Sequence, residues 1–403
     1  MNISVLSQRV PYPPNKGEKL RTYHQIERMV DLGHTVSVVS FSEGADDEQQ
    51  ARALEAALGV TVMLYPLPGK LTRYTKALLR GLPISVGAFY SPQAARVIHQ
   101  QLASPSLDML FLSASSLSYY VFSSKSYQQT RCKLVMDFMD VDSDKWRQYA
   151  HNARWPMSWV YQRESRGIRR LEQQVNKWFA HSFLIAKEEV ELFKRTVCHE
   201  HPVTVLGNGL DFSAFTPVAD QEKVRERHFL FTGVMDYKPN IDAVLWFVRQ
   251  CWPGIKKQLP DATFTIAGMN PSQEVKAFNN KQGIEITGFV EDILPYFHAA
   301  AVFVAPFRLA RGVQNKVLQA AACKVPLVCT SMGAEGIGFA SSDTMAIADS
   351  AEAFTEACII QASQRGEALA KAQRALDIML QEYSWEQQLT PLEKILKPSW
   401  KLP

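Results

Sequence analysis

Residues 302–322 read VFVAPFRLARGVQNKVLQAAA: an apolar run, a basic loop and a second apolar segment that is rich in alanine. The first run has the length of a buried strand, and the pattern from Val313 to Cys323 predicts a helix. Three cations lie in or beside the loop: Arg308, Arg311 and Lys316. Gly312 stands at the predicted helix start, where N–H groups and the helix dipole favour anions. The stretch therefore predicts a diphosphate site, with a solvated basic turn as the alternative.

The same alternation of strand and helix extends over nearly the whole chain. Apolar, β-branched runs predict twelve strands: Ile3–Leu6, Thr35–Phe41, Val60–Tyr65, Asp108–Leu112, Leu134–Phe138, Phe183–Ala186, His228–Thr232, Thr263–Ala267, Ile284–Thr287, Val302–Ala305, Pro326–Thr330 and Met345–Ala348. Amphipathic patterns predict the main helices: Gly17–Leu32, Asp46–Leu58, Gln93–Leu102, Trp155–Phe179, Ile241–Lys257, Glu291–Ala299, Val313–Cys323 and Gly366–Gln381. This order predicts an α/β protein with two doubly wound, Rossmann-like parallel sheets.

The alternation pauses after Val203–Leu206, at a turn-rich stretch that begins GNGLD. We therefore predict a first domain over 1–206, a linker over 207–227 and a second domain over 228–383. A terminal helix over 384–403, capped by the Ser384 hydroxyl, is expected to cross back to the first domain. Two such domains are expected to face a central cleft, because open α/β sheets bind ligands at the carboxyl ends of their strands.

Composition excludes several classes of protein. The 403 residues suffice for two domains, and 46% hydrophobic and 21% charged residues are ordinary for a globular chain. A formal charge of +4 lacks the basic bias of a nucleic-acid-binding protein, so no nucleic-acid partner is expected. The N-terminus has no signal-peptide core, and no apolar run is long enough to span a bilayer. These features predict a cytoplasmic protein.

Cysteines and histidines give no sign of a metal centre. The six cysteines form no CxxC pair, and we expect buried free thiols in a reducing compartment, with disulfides as the alternative. The nine histidines show no metal-binding spacing. No metal and no cofactor are therefore predicted.

Three further loops carry candidate ligands. RVPYPPNKGEK at 9–19 places Gly17 at a helix start, although a rigid proline-rich turn explains it equally well. GVMDYKPN at 233–240 offers Lys238 to an anion, or merely as a surface lysine, and Asn240 as the cap of the next helix. TSMGAEGI at 330–337 offers Glu335 to a sugar hydroxyl, or as an exposed turn acid.

Four sequence strings make the chain resemble glycosyltransferase family 4, whose members are retaining enzymes of the GT-B fold. They are RVPYPPNKG at 9–17 with Leu20-Arg21, MDFMDVDSDKWRQY at 136–149, FTGVMDYKPNID at 231–242 and ARGVQNK at 310–316. AEGI at 334–337 and Asn208-Gly209 with Asp211 fit the wider family. Within it, the chain is most similar to the sugar transferases associated with the PEP-CTERM and exosortase system.

The resemblance implies that the second domain binds a nucleotide-sugar and the first domain the acceptor, a glycan or a lipid-linked molecule. Lys316 would neutralise the leaving diphosphate in place of a divalent cation, and the turn after Gly288 would contact the base. The implied catalytic residues are Lys316, Arg311 and Asp140. The implied donor-binding residues are Gly17, Gly233, Lys238, Gly268, Phe289, Val290, Arg308, Gly312, Val313, Gln319 and Glu335. Gly17 would reach the donor across the cleft.

The chain departs from the family pattern at several positions. Arg311 and Gln319 occupy the places of two glutamates, and an arginine cannot accept from sugar hydroxyls. Val234 replaces an arginine, which leaves Lys238 as the nearby cation. Met139 stands where many members have a histidine, followed by an acidic cluster in which Asp140 or Asp142 could orient the acceptor or serve a structural role.

The expected function is a metal-independent hexosyltransferase of exopolysaccharide biosynthesis, acting with retention by same-face transfer. The leaving phosphate would help to deprotonate the acceptor, since no obvious carboxylate pair supports double displacement. The alternatives are a catalytically decayed GT-B protein that binds nucleotide-sugar, and a nucleotide-sugar epimerase, for which we find no convincing acid–base set.

The stretch KLTRYTKALLR at 70–80 predicts a basic amphipathic helix. Such a helix can lie on an anionic membrane, so peripheral contact with the inner membrane is a candidate property. A packed surface helix with solvated charges is the alternative.

Overall fold

The computed structural model describes residues 1–15, 17–197, 202–219, 224–309 and 313–397. The chain divides into two compact units. The first comprises Met1–Asn208 together with the segment from Gln388 onward, and the second is Gly209–Gln387. The stretch expected to be a linker is thus split at Asn208, and its residues from Gly209 belong to the second unit.

The first unit contains seven strands in one sheet: β1 Asn2–Leu6, β2 Thr35–Ser42, β3 Thr61–Pro66, β4 Met109–Leu112, β5 Lys133–Met139, β6 His181–Leu184 and β7 Val203–Val205. All are parallel, in the order β3-β2-β1-β4-β5-β6-β7. The helices before the second unit are α1 Gly17–Asp31, α2 Asp46–Leu58, α3 Lys70–Leu79, α4 Ile84–Ala88, α5 Pro92–Ala103, α6 Ser118–Phe122, α7 Asp142–Asn152, α8 Met157–Trp178 and α9 Lys187–Thr196.

The second unit contains six strands: β8 His228–Thr232, β9 Thr263–Ala267, β10 Ile284–Gly288, β11 Val302–Ala305, β12 Leu327–Cys329 and β13 Ala346–Ile347. They too are parallel, in the order β10-β9-β8-β11-β12-β13. The remaining helices are α10 Lys238–Trp246, α11 Trp252–Gln258, α12 Gln273–Lys276, α13 Leu294–Ala299, α14 Asn315–Ala322, α15 Ala351–Ser363, α16 Arg365–Glu382, α17 Trp385–Gln388 and α18 Thr390–Leu396.

The burial of the strands explains why they could be predicted from the sequence. Every residue of β4, β8 and β11 is buried, so these strands read as continuous apolar runs, as expected for parallel strands covered on both faces. The edge strand β3 has no fully buried residue. In the second unit, aromatic residues such as Phe229, Phe247 and Trp252 fill the core between sheet and helices.

All twelve predicted strands are confirmed, with ends shifted by a few residues. The predicted helix over 241–257 is wrong in detail, because it begins at Lys238 and is interrupted by a π-helical segment at Phe247–Cys251. The single helix expected over 384–403 is two short helices, α17 and α18, within the described part of that segment. Ser384 caps α17 as predicted, since its Oγ accepts from the Gln387 N–H at 3.1 Å.

Five of the six cysteines confirm the prediction of buried free thiols: Cys132, Cys251, Cys323, Cys329 and Cys358. Cys198 lies outside the described residues. Within the described part of the chain, no helix is long and apolar enough to cross a membrane.

A buried ion pair joins the first helix to the sheet of the first unit. Arg21 on α1 donates to both carboxylate oxygens of Asp137 on β5, at 2.6 and 2.9 Å, and each side chain is 1% exposed. Arg21 also donates to Asn208 Oδ1, and Gln25 donates to Asp137. Arg28 on the same helix pairs with Glu393 on α18 at 2.7 Å, which fastens the C-terminal segment to the first unit.

Glu172 on α8 makes the stability of the first unit depend on pH. Burial raises the pKa of this carboxyl from 4.5 to about 7; Oε1 accepts from the Ser143 N–H, whereas Oε2 has no partner among the described residues. The folded state therefore holds a proton that the unfolded chain releases above about pH 4.5. The contribution of this group is complete below that pH and is lost as the pH rises through about 7.

Glu172→Gln should remove this loss, because the amide keeps an acceptor for Ser143 and carries no charge. We expect a gain of about 1–3 kcal/mol in unfolding free energy near pH 8 and little change near pH 4.5. Urea unfolding at both pH values measures it. Glu188→Gln, at an exposed position on α9, is the matched control and should show no pH-dependent difference. Equal effects of the Glu172 change at the two pH values would contradict the assignment.

Candidate functional site

Two glycines shape the carboxyl edge of the second sheet. Gly233 follows β8 with φ +156°, and Gly268 follows β9 with φ +151°. A Cβ on Gly268 would lie 1.7 Å from the Gly233 carbonyl oxygen, so no side chain fits there. The Gly233 N–H donates to Ala267 O at 3.0 Å, which holds the two loops together. Both were predicted to bind the donor; the structure gives each a packing reason to be glycine.

Lys316 lies beside this pair of loops. It is the second residue of α14, and its Nζ donates to Asn240 Oδ1 at 2.6 Å. The Nζ lies 4.8 Å from the ring centre of Phe231 and 4.9 Å from that of Phe307. A Cβ on Gly233 would lie 2.7 Å from Nζ, so that glycine leaves room for the ammonium.

This environment is unusual for a lysine. Burial lowers the pKa of Lys316 from 10.5 to about 7. Asn240 is neutral, so it orients the amine without cancelling its charge, and the aromatic faces favour the cationic form. The residue is therefore poised to gain or lose a proton near neutral pH, and an arriving anion would favour the charged form.

Asn240 is a site residue that the sequence analysis misjudged. It does not cap α10, because that helix begins at Lys238 and Asn240 is already in its first turn. Its Nδ2 donates to Val234 O at 2.9 Å, which fixes the amide so that Oδ1 points to Lys316. The sequence did not show that Asn240 is buried, with only 5% of it exposed. An asparagine near a predicted helix start is ordinarily interpreted as a helix cap.

The helix that carries Lys316 starts later than predicted. Gln314 is extended, with φ −87° and ψ 97°, and α14 begins at Asn315 instead of at Gly312 or Val313. Arg311 and Gly312, predicted to bind the diphosphate, lie outside the described residues. Val313 is partly buried against the core of the second unit. Gln319 is partly buried one turn after Lys316 on the same helix.

Arg308 is engaged in an ion pair. Its NH2 donates to Asp242 Oδ1 at 2.6 Å, and its guanidinium lies 5.9 Å from the ring centre of Trp246. The side chain is 49% exposed. The structure thus gives Arg308 a partner on α10 that the sequence did not reveal. Lys238 is exposed at the first position of that helix.

The other predicted donor contacts lie in loops after strands of the same sheet. Phe289 directly follows β10 and is 71% exposed, and Val290 is partly buried. Glu335 is exposed in the loop after β12. Thr330 anchors the start of that loop, because its Oγ1 donates to Phe307 O at 2.6 Å and accepts from the Gly333 N–H at 3.1 Å.

In the first unit, a pocket of about 220 Å³ lies beside the loop after β1. Its lining includes Arg9, Thr22 and Met139; Arg9 also pairs with Glu18. Gly17 is exposed at the start of α1. No neighbour lies within 4 Å of where a Cβ on Gly17 would be, so its loop leaves the backbone accessible.

The acidic cluster after β5 is largely structural. Asp137 pairs with Arg21, Asp142 accepts from Ser115 Oγ, and Asp144 accepts from Arg147 and Gln148. Asp140, which was predicted as a catalytic residue that orients the acceptor, is exposed next to Met139, which has φ +62°. Within the described ranges, no three His, Cys, Asp or Glu side chains are grouped so that they could hold a metal ion.

Two Rossmann-like units, each a parallel sheet covered by helices, constitute the GT-B fold of glycosyltransferases. The family model described as glycosyl transferases group 1 matches residues 226–363. That segment contains β8 to β13 and with them Gly233, Asn240 and Lys316. Fold and match together support a glycosyltransferase group 1 activity.

Solved structures with this fold align over almost the whole chain. Sucrose-phosphate synthase from Thermosynechococcus elongatus is 14% identical, with a TM-score of 0.66 and 98% of each chain covered. HepE from Anabaena, in complex with UDP, is also 14% identical, with a TM-score of 0.66 and coverage of 98% and 99%. WaaG, a glycosyltransferase involved in lipopolysaccharide biosynthesis, is 11% identical, with a TM-score of 0.65 and coverage of 98% and 100%.

One curated relative is similar in sequence. It is an uncharacterized 44.6 kDa protein in the cps region of Klebsiella pneumoniae, 22% identical over 362 residues. The alignment covers 86% of this chain and 87% of the relative. At these identities the structural likeness shows the fold.

Proposed function

We propose that the protein is a retaining, metal-independent glycosyltransferase of family 4 that transfers a hexosyl group from a nucleotide-sugar. The observation that carries the proposal is Lys316, a half-buried amine in the first turn of α14, oriented by Asn240 and lying over two aromatic rings. A preorganised cation at that place can stabilise the diphosphate that leaves when the glycosidic bond to the sugar breaks. HepE has been solved with UDP and with UDP-glucose, which favours a uridine nucleotide as the donor's leaving group.

The donor would lie along the carboxyl edge of the second sheet. Gly233 and Gly268 keep that edge free of side chains, and the backbone there can approach a ligand closely. Four further residues follow strands at the same edge, and we assign them to the sugar and the nucleotide: Lys238 at the start of α10, and Phe289, Val290 and Glu335 in loops. Arg308 already donates to Asp242, so it would bind the donor only with a guanidinium that also keeps this ion pair.

The proposed transfer step follows from the position of the Lys316 ammonium. As the bond between the anomeric carbon and the phosphate oxygen breaks, negative charge accumulates on the diphosphate and Lys316 stabilises it. The released phosphate oxygen would accept the proton of the acceptor hydroxyl on the same face of the sugar, which gives retention. Lys316 would thus take over the role that a divalent cation has elsewhere.

The acceptor would bind to the first unit, near Gly17 and Asp140, and we propose a glycan or a lipid-linked molecule of exopolysaccharide biosynthesis. The relative in a cps region favours this pathway.

We propose a cytoplasmic location for the protein, because its buried free thiols suit a reducing compartment. The exposed Leu71 and Leu79 on the basic helix α3 favour peripheral contact with the inner membrane. We also propose that the chain is related to the PEP-CTERM-associated sugar transferases.

Nucleotide binding should depend on pH through Lys316. Around pH 6 the amine is already charged, whereas around pH 8 it is mostly neutral and must take up a proton when the diphosphate binds. We expect uptake to approach one proton per UDP at the higher pH and to be much smaller at the lower. Calorimetry in buffers of different ionisation enthalpy measures this. Lys316→Met should show only the nucleotide's own protonation; uptake that is identical in both proteins would contradict the assignment.

Turnover separates the proposal from a decayed GT-B protein. A transferase releases UDP or another nucleoside diphosphate from the matching nucleotide-sugar, whereas a decayed protein binds without release. Thermal shifts with UDP, GDP and ADP select the nucleotide, since a ligand stabilises the state that it binds. Release that persists in EDTA supports metal independence. NMR of the product's anomeric configuration decides between retention and inversion.

A further inference from the structure

A second pocket, of about 480 Å³, lies in the first unit. It is formed by α3, α4 and the start of α5. Ala77, Leu82 and Tyr90 give it an apolar lining. Gly87 on α4 packs directly against Ala77 on α3, where a Cβ would lie 2.5 Å from the Ala77 Cβ, so the two helices that bound the pocket are held tightly together.

Three cations line this apolar pocket. Arg73, Lys76 and Arg80 recur three and four residues apart, which places them on one face of α3 and its C-terminal cap. Lys76 and Arg80 are exposed. Glu43 pairs with Arg73 and is the carboxylate that offsets one of these charges. The pocket therefore keeps a net positive charge against a mostly apolar surface.

Arg73 is built into the site and is not a surface side chain. Its side chain is 4% exposed; NH1 donates to Ala88 O and NH2 to Glu43. Its Nε is buried without a hydrogen-bond partner among the described residues. A buried donor of a charged group without an acceptor is costly, and an anion in the pocket would supply one.

Apolar surface continues along the same helix outside the pocket. Leu71 is 78% exposed, Leu79 is 88% exposed and Leu78 is 44% exposed. Tyr90, which lines the pocket, is held in place by Tyr119 and Tyr120, whose ring centres lie 5.6 and 5.3 Å from its own. A ligand with an anionic head and an apolar chain matches both parts of this surface, whereas a free phosphate would leave the apolar part unused.

We propose that this pocket binds the phosphate group of an anionic amphiphile, a phosphate or diphosphate ester that carries a long apolar chain. Arg73, Lys76 and Arg80 would contact the phosphate, and the apolar lining with the exposed leucines would cover the first part of the chain. This chemistry belongs both to a lipid-linked acceptor and to a membrane phospholipid. The inference stands on the geometry of α3 and does not require the proposed transferase activity.

Octyl phosphate, below its micelle concentration, is the probe. Octyl glucoside has the same chain without charge, and inorganic phosphate has the charge without the chain. Calorimetry should show that octyl phosphate binds at least about tenfold more tightly than either. Equal binding of octyl phosphate and octyl glucoside, or of octyl phosphate and inorganic phosphate, would overturn the proposal.

Variants locate the binding. Lys76→Gln with Arg80→Gln should weaken octyl phosphate about tenfold or more, because two charge-assisted contacts are lost. Lys70→Gln is the control on the same helix: it is exposed, lies outside the pocket lining and should change the affinity less than about twofold. All three substitutions are at exposed positions, so the melting temperature of the two free variants should not change. Equal losses in the two variants would refute a site at this pocket.

Vesicles distinguish the two sources. If monomeric octyl phosphate binds and the double variant sediments with phosphatidylglycerol vesicles as well as the wild type does, the pocket serves a single lipid phosphate such as an acceptor. If the double variant loses both octyl phosphate binding and vesicle binding, the pocket binds a phospholipid of the membrane itself. Vesicle binding without any binding of octyl phosphate would overturn the proposal in favour of a diffuse basic surface. Release of nucleoside diphosphate, measured in parallel, tests the transferase independently.

Discussion

Asp137→Ala is expected to lower the free energy of unfolding by about 3–5 kcal/mol, because it leaves the Arg21 guanidinium as an uncompensated charge in the interior. Both side chains are 1% exposed, and two hydrogen bonds join them. Gln25 would lose its acceptor at the same time. Urea unfolding followed by circular dichroism measures the loss, and the midpoint of the first unit's transition should fall most.

A surface pair provides the control for this prediction. Arg227 donates from NH1 to both oxygens of Asp261, at 2.6 and 2.8 Å, but both partners are exposed to solvent. Asp261→Ala should leave the urea midpoint unchanged, because water and salt screen such pairs. A loss for Asp137→Ala no larger than that for Asp261→Ala would mean that burial does not govern the contribution of the Arg21–Asp137 pair.

The sheets could be predicted from the sequence because their strands are buried on both faces. Thr263–Ala267 and His228–Thr232 were predicted with their observed bounds, and the charged, amphipathic α2 was as well. Helix α7, by contrast, was missed, because DSDKWRQYAHN has almost no apolar periodicity and its place depends on packing against α8. Helix α15 was missed for the opposite reason, since AEAFTEACIIQAS carries apolar residues on all of its faces and therefore shows no amphipathic pattern.

The candidate site was predictable only in part. A lysine at a predicted helix start after an apolar strand signalled Lys316. The sequence could not reveal that Asn240, 76 residues earlier, would hold its amine, or that Asp242 would engage Arg308 across 66 residues. Such pairs depend on how neighbouring strands place their loops, and no local pattern encodes them. The later start of α14, at Asn315, also depends on the extended conformation of Gln314.

Lys316→Met is expected to reduce kcat/KM for sugar transfer by roughly 10³-fold, because it removes the cation proposed to stabilise the leaving diphosphate. Methionine fills a similar volume between Phe231 and Phe307, and it removes a partly buried amine, so the fold should not suffer. Asn240→Leu should lower kcat/KM in the same direction by a smaller factor, since the amine stays but loses the acceptor that orients it. Nucleoside diphosphate release measures both.

Lys257→Met is the matched control for this prediction, because it removes an exposed lysine from α11 of the same unit. Its kcat/KM should equal that of the wild type. The pH profile adds a readout that a structural defect would not imitate: the wild-type rate should fall as the pH rises through about 7, where Lys316 loses its charge, whereas the Met variant should lack this step. A Lys316→Met protein that retains wild-type turnover would show that the charge on the leaving diphosphate is stabilised by other groups.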